Sequence, residues 1–152
     1  GVGAVIEVTL GGALDPARFA PMPVRAKVKL LSDGRSRLET MKIGLDARPT
    51  AVLVFDNFTV VVLSRTVSLF DRAMYFSNGI DPHDFDLIVV KSPHTEFHMY
   101  DAWVEKNFNI DAPGATSADL RSLGHTVCAR PMYPLDDDVA FAPKAVIYAR
   151  EP

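Results

Sequence analysis

The junction Val90-Lys91-Ser92-Pro93-His94 concentrates more chemistry than any other stretch of this sequence. An apolar run over 85–90 leads into Ser92 and Pro93, a helix-start pair. Serine caps the helix, and proline takes the first position, where its missing N–H costs nothing. The free N–H groups and dipole of such a helix end favour an anion. Lys91 adds a full positive charge, Ser92 a hydroxyl and His94 a titratable donor. A carboxylate or a phosphate suits this set. An ordinary capped helix beside a surface lysine would read the same way.

His98 follows His94 by four residues and shares its helical face, and Asp101 and Glu105 continue the stripe. Two imidazoles near carboxylates can ligate a divalent ion. Yet no Glu directly follows the first His, as HExxH requires, and a polar stripe is also what a solvated helix face shows. No metal site is expected in this chain. Lys91, Ser92, His94 and His98 remain the candidate substrate-binding residues.

Other candidates are weaker. Residues 18–48 carry eight Lys and Arg, among them Arg25, Lys27 and Lys29, against three acids. No aromatic stacking platform is interleaved with them, so a solvated face or a face toward another domain is expected, not nucleic acid. The sequence has no GxGxxG, GxxxxGK[ST] or GxSxG motif. Cys128 with His125 has nothing nearby to suggest an oxyanion hole and reads as a structural thiol.

The elements that must position these residues follow from periodicity. Val2–Leu10 alternates as a strand and stops at Gly11-Gly12. Val24, Ala26, Val28 and Leu30 take one face of a second strand, while Arg25, Lys27 and Lys29 take the other. Ser32-Asp33-Gly34 is a turn, and a weaker extended stretch runs to about Leu45. Thr50–Phe55 and Phe58–Ser64, parted by Asp56-Asn57, predict a tight hairpin. Asp71 is expected to cap a short helix ended by Asn78-Gly79, and Phe85–Val90 reads as a buried strand. The helix begun at Ser92-Pro93 is expected to reach about Asn107, burying Phe97, Tyr100 and Val104. A helical turn within Thr116–Leu123 and a last strand at Ala145–Ala149 complete the pattern. The fold class is α+β: one domain, residues 1–152, with an antiparallel-rich mixed sheet and two or three short helices.

Size and composition agree. The chain has 152 residues, a net charge of −3, 48% hydrophobic and 23% charged residues, so it reads as a folded globule and not a disordered or polyanion-binding segment. A single cysteine excludes an internal disulfide and suits a cytoplasmic setting. No apolar run is long enough to span a bilayer, and no signal-peptide pattern opens the chain. A start at Gly1 that enters a strand almost at once suggests a piece of a longer polypeptide.

Several segments, taken in order, resemble a known family. They are Thr9-Leu10-Gly11-Gly12 with Leu14-Asp15-Pro16, Leu31-Ser32-Asp33-Gly34-Arg35, and Ser64-Arg65 with Phe70-Asp71. Gly79-Ile80-Asp81-Pro82 through Val90-Lys91-Ser92, Asp111-Ala112-Pro113-Gly114, and Arg130-Pro131-Met132-Tyr133-Pro134-Leu135-Asp136 follow. Their collinear order resembles the C-terminal domain of the microcystinase-C-like (MlrC-like) metallopeptidase family. The resemblance implies a catalytic zinc held by an N-terminal metal-binding domain absent from this chain. It implies amide cleavage in small peptides, and a C-terminal half that packs on the metal domain and is inert alone. After Lys-Ser, many members carry a His followed by Phe, with two residues between Ser and His; Thr95 stands at that position, and His94 comes one residue early. The other reading is a stand-alone small-anion binding or interaction module.

Overall fold

Strand β1, Val5–Leu10, half-buries Ile6, Val8 and Leu10 and exposes Val5, Glu7 and Thr9, the period-two pattern of a sheet with one packed face. It pairs antiparallel with β2, Met22–Ser32, which pairs with β5, Thr50–Phe55, which pairs in turn with β6, Phe58–Leu63. The four-stranded sheet therefore has the order β1-β2-β5-β6. Two short strands, β3 (Arg35–Arg37) and β4 (Gly44–Asp46), form a separate antiparallel pair within the stretch expected only to be extended. The computed structural model describes residues 1–91, 98–110, 112, 119–140 and 142–148, and of His98 the backbone only. These fall into two compact units, Gly1–Asn107 and Phe108–Pro152. The class is α+β, and every described ladder is antiparallel.

Ala26, Val28, Leu53 and Phe55 form a buried cluster, edged by Ile6, Val8, Val24 and Val60. Burying such side chains contributes roughly 1.5–3 kcal/mol for each large one, so this patch is the main support of the sheet. Leu30 does not join it, contrary to the simple alternation. Val28 lies opposite Leu53 while Leu30 lies opposite Val52, so Lys29 is an extra residue, a bulge. Leu30 thereby turns to the other face, toward the end of the first helix: a Cβ on Gly79 would stand 3.9 Å from its side chain. Arg25, Lys27 and Lys29 are exposed, as expected.

The turns follow their residues. Asp56 adopts φ 47° in the β5–β6 hairpin. Gly34 sits at φ 73°, and a Cβ there would lie 2.0 Å from the Arg48 carbonyl oxygen, so only glycine fits. Helix α1, Ala73–Phe76, ends at Asn78-Gly79, with Gly79 at φ 67°. Its polar end is tied to β2, because the Ser32 hydroxyl donates to Asn78 Oδ1 at 2.8 Å. A 3-10 turn at Pro82–Asp84 follows.

Phe85–Val90 departs from its expected role as a buried strand. It joins no ladder among the described residues, and Leu87 and Val89 are 72% and 76% exposed. Extended, apolar sequence does not become a strand without a neighbouring backbone to bond. The second unit holds a 3-10 turn at Leu120–Leu123 and no strand among its described residues. There the expected strand at Ala145–Ala149 is likewise unpaired over 145–148, with Val146, Ile147 and Tyr148 exposed, and Ala149 lies outside the described residues.

Candidate functional site

Of the four candidate residues, Lys91 is placed in full. It is exposed, and it has no ion-pair partner among the described residues. Ser92 and His94 lie outside the described residues. His98 opens helix α2, His98–Asp101, and its side chain also lies outside them. The helix closes sooner than its periodicity suggests. The N–H groups of Trp103 and Val104 both donate to the Tyr100 carbonyl, at 3.0 and 3.1 Å, which ends the ladder well before Asn107. Asn107 instead donates its side-chain amide to the Asp101 carboxylate. Tyr100 is buried, as the expected apolar stripe requires, and the Trp103 indole N–H donates to the Met99 carbonyl at 3.1 Å.

Three further groups stand at this end of the first unit; sequence reasoning read Asp71 among them only as the start of a helix and missed the other two. His83 is the first. Asp81 Oδ1 accepts the His83 backbone N–H at 3.0 Å and lies 2.6 Å from His83 Nδ1. The His83 hydrogen bonds hold the Asp81 carboxyl below its ordinary range. The imidazole is packed against Trp103, ring centres 4.0 Å apart. A carboxylate on Nδ1 leaves Nε2 as the proton-accepting nitrogen, the arrangement of a general base. The same oxygen also closes the local turn, so the pair is accounted for by chain geometry alone. The signal was present as Asp81-Pro82-His83: an Asx cap, proline at the first position and a ring two residues on.

The second group is the carboxylate of Asp71, 3% exposed. Its Oδ1 accepts from the N–H of Ala73, the first helical residue, at 2.9 Å, although the cap position expected at Asp71 falls on Arg72. Its Oδ2 also accepts from the N–H groups of Glu39 (2.7 Å) and Thr40 (3.2 Å) and from the Thr40 hydroxyl (3.2 Å). One side chain thus ties the loop after β3 to α1. The third is the Arg72–Glu39 ion pair, 2.8 Å long and mostly shielded, with the Arg72 guanidinium over the Phe76 ring. Glu39 Oε1, Arg72 Nε and the Tyr100 hydroxyl are closed to solvent and unpartnered among the described residues. Burial pushes the Tyr100 hydroxyl up, with Tyr75, Asp71 and Glu39 adding to the effect and Arg72 opposing it, so the phenol stays protonated. The trio offers an acceptor, a donor and a group that can be either.

Among the described residues, no three His, Cys, Asp or Glu stand together as a metal ion needs. These residues do not fit a zinc site. Cys128 is half-buried in the second unit. There Arg130 grips Asp136 through two nitrogens, and Asp136 Oδ2 also accepts the Met132 N–H at 2.7 Å, so the stretch Arg130–Asp136 is a loop closed on itself. No helix among the described residues is long and apolar enough to cross a membrane.

Comparison with known proteins adds a family. Residues 1–127 match the family described as MlrC C-terminus. Among proteins of curated function none matches. The crystal structure of a "putative metallopeptidase" from Mesorhizobium sp. BNC1 is similar over 93% of this chain, with a TM-score of 0.74 and 26% identity. The match covers 28% of that protein, so this chain spans little more than a quarter of its length.

Proposed function

The chain belongs to the MlrC C-terminus family, and from that premise we propose that it is the C-terminal, non-metal-binding domain of a zinc-dependent peptidase or amide hydrolase. In this reading it packs on the catalytic domain of the same protein and helps shape the substrate cleft. The observation that carries the reading is the joint match. The family covers residues 1–127, and the same fold makes up 28% of the larger Mesorhizobium protein described as a "putative metallopeptidase". The zinc belongs to the part of the parent protein outside this chain, where it supplies Lewis-acid chemistry to the scissile amide. The substrate is a small peptide or amide, nucleic acid is no partner, and the setting is cytoplasmic.

Within that reading Lys91, with Ser92, His94 and His98, faces the cleft and holds a substrate carboxylate. What supports Lys91 is its exposure and its lack of an ion-pair partner among the described residues. An ammonium left unpaired next to an apolar segment attracts an anion more strongly than one already neutralised. The test is the parent enzyme carrying Lys91→Ala, set beside Lys106→Ala, another exposed lysine. A charge-assisted hydrogen bond to substrate is worth about 1.5–3 kcal/mol, so kcat/KM should fall about tenfold or more for Lys91→Ala and hardly at all for Lys106→Ala. Equal effects from the two would leave Lys91 as a surface residue. The isolated chain, given zinc and short peptides, should show no turnover that a chelator abolishes.

A further inference from the structure

We propose that Phe85–Lys91 is a docking strand: it adds edge to edge to an extended segment of the catalytic domain of the parent protein. This rests on the domain reading above and names where the contact is made and of what kind it is.

The segment has every property of a strand except a partner. Its sequence, Phe85-Asp86-Leu87-Ile88-Val89-Val90, is rich in strand-forming side chains, and Phe85 has extended backbone angles, φ −125° and ψ 138°. From Leu87 to Lys91 burial alternates residue by residue. Leu87, Val89 and Lys91 are exposed, and Ile88 and Val90 are half-buried. Yet among the described residues no backbone N–H from Asp86 to Lys91 is bonded, and the only recorded bond to a carbonyl there runs from the Tyr75 hydroxyl to Val89, at 3.0 Å. Leu87 and Val89, two residues apart on one face, leave large aliphatic side chains in water. An open, apolar strand edge of this kind is a template for another chain.

The one bond present selects the edge. In an extended chain the N–H and C=O of a residue point the same way, and those of its neighbours point the opposite way. Tyr75 occupies the edge of Val89 and hence of Leu87. Asp86, Ile88 and Val90 present the free edge. The occupant is argued from length. The similar structure has nearly three quarters of its chain outside the region matched here, so a large body of polypeptide is at hand to supply the neighbouring strand. Intramolecular supply also removes the concentration penalty that a separate partner would meet.

The experiment is residue-resolved amide hydrogen exchange on the full-length parent and on this chain alone, with peptide hydrolysis by the parent measured separately. The N–H groups of Ile88 and Val90 should exchange about a hundredfold more slowly in the parent than in the isolated chain. Those of Val52 and Val54, within a ladder, should be slow in both. Equal, fast exchange at Ile88 and Val90 in both samples overturns the proposal, whatever the parent's activity. Protection that arises in the isolated chain and grows with its concentration also overturns it, because the occupant is then a second copy. Protection in a parent that fails to cleave peptides supports the strand pairing while removing the peptidase reading.

Discussion

Strand β6 and the segment Phe85–Val90 each open with phenylalanine and run on through branched aliphatics, yet they end in different states. β6 lies in a ladder with β5, Phe55 opposite Phe58 and Thr50 opposite Leu63. Phe85–Val90 lies in none among the described residues. The difference is distance to a partner. β6 finds β5 across two turn residues, Asp56 and Asn57, so closing the loop costs little entropy. Phe85–Val90 follows a 3-10 turn and pairs with no strand among the described residues. Side-chain preference makes a segment fit for a sheet, but only a backbone within reach makes it a strand. The second unit repeats the lesson: its apolar stretch 145–148 is open, and its described ties are polar and exposed, Arg121 to Asp137 and Arg130 to Asp136.

The sharpest way to break this contrast is to attack the paired half at its most enclosed point. Val52 in β5 is fully buried. Val52→Asp places an unpaired carboxylate there and should cost about 4 kcal/mol or more, enough to unfold the first unit in a denaturant titration. A loss below about 1 kcal/mol would mean that the ladder, and not the apolar core, holds the strands. The next effect is smaller and tests the polar tie beneath α1. Asp71→Ala strands the N–H groups of Glu39, Thr40 and Ala73 and should cost about 3 kcal/mol. Asp71→Asn keeps the acceptor Oδ1 and should recover part of that loss. No difference between the two variants would show that the bonds on Oδ2, and not the one on Oδ1, carry the whole effect.

The smallest effect is expected in the second unit and is local. The Arg130 guanidinium, helped by the Met132 N–H, holds the Asp136 carboxyl down at about 2 against an ordinary 3.8. Because the folded value is depressed, the tie favours the closed loop at pH values above 3.8. That preference fades as the pH falls through about 2. Acid should therefore release Arg130–Asp136 while the β5–β6 ladder is unaffected by that release. Following the Asp136 carboxyl carbon and the Arg130 side-chain N–H by NMR checks it. A midpoint close to 3.8 would show that the pair does not persist in solution.

What the sequence made legible was local. The Asp56-Asn57 hairpin, the outward lysines of β2 and the Ser32-Asp33-Gly34 turn each depend on residues a few positions apart, which periodicity and turn chemistry can read. The β3–β4 pair was not legible, because three-residue strands carry too little alternation to register. Neither was the set of bonds on Asp71. Its bond to Ala73 is local, but the N–H groups of Glu39 and Thr40 come from more than thirty residues away. At the candidate site, Lys91 could be read as a charge at a chain junction. The packing of His83 against Trp103 could not, since it joins residues twenty apart through a fold that periodicity does not describe.

The extra residue at Lys29 has a bearing on how relatives of this chain are compared. It lets a single strand lend Val28 to one side of the sheet and Leu30 to the other, and it sets Ser32 within reach of Asn78. A homologue lacking only the extra residue at Lys29 would pair as a regular strand, with Val28 still opposite Leu53 and Leu30 still opposite Val52. Its Leu30 equivalent would keep the side opposite Val28, and its Ser32 equivalent would keep its place toward the helix. An alignment that places the gap at Lys29 therefore implies no compensating gap in β5, whereas a gap at Leu31 in an unbulged strand would turn Lys29 to the side that Leu30 now takes, and gap placement becomes a statement about three dimensions.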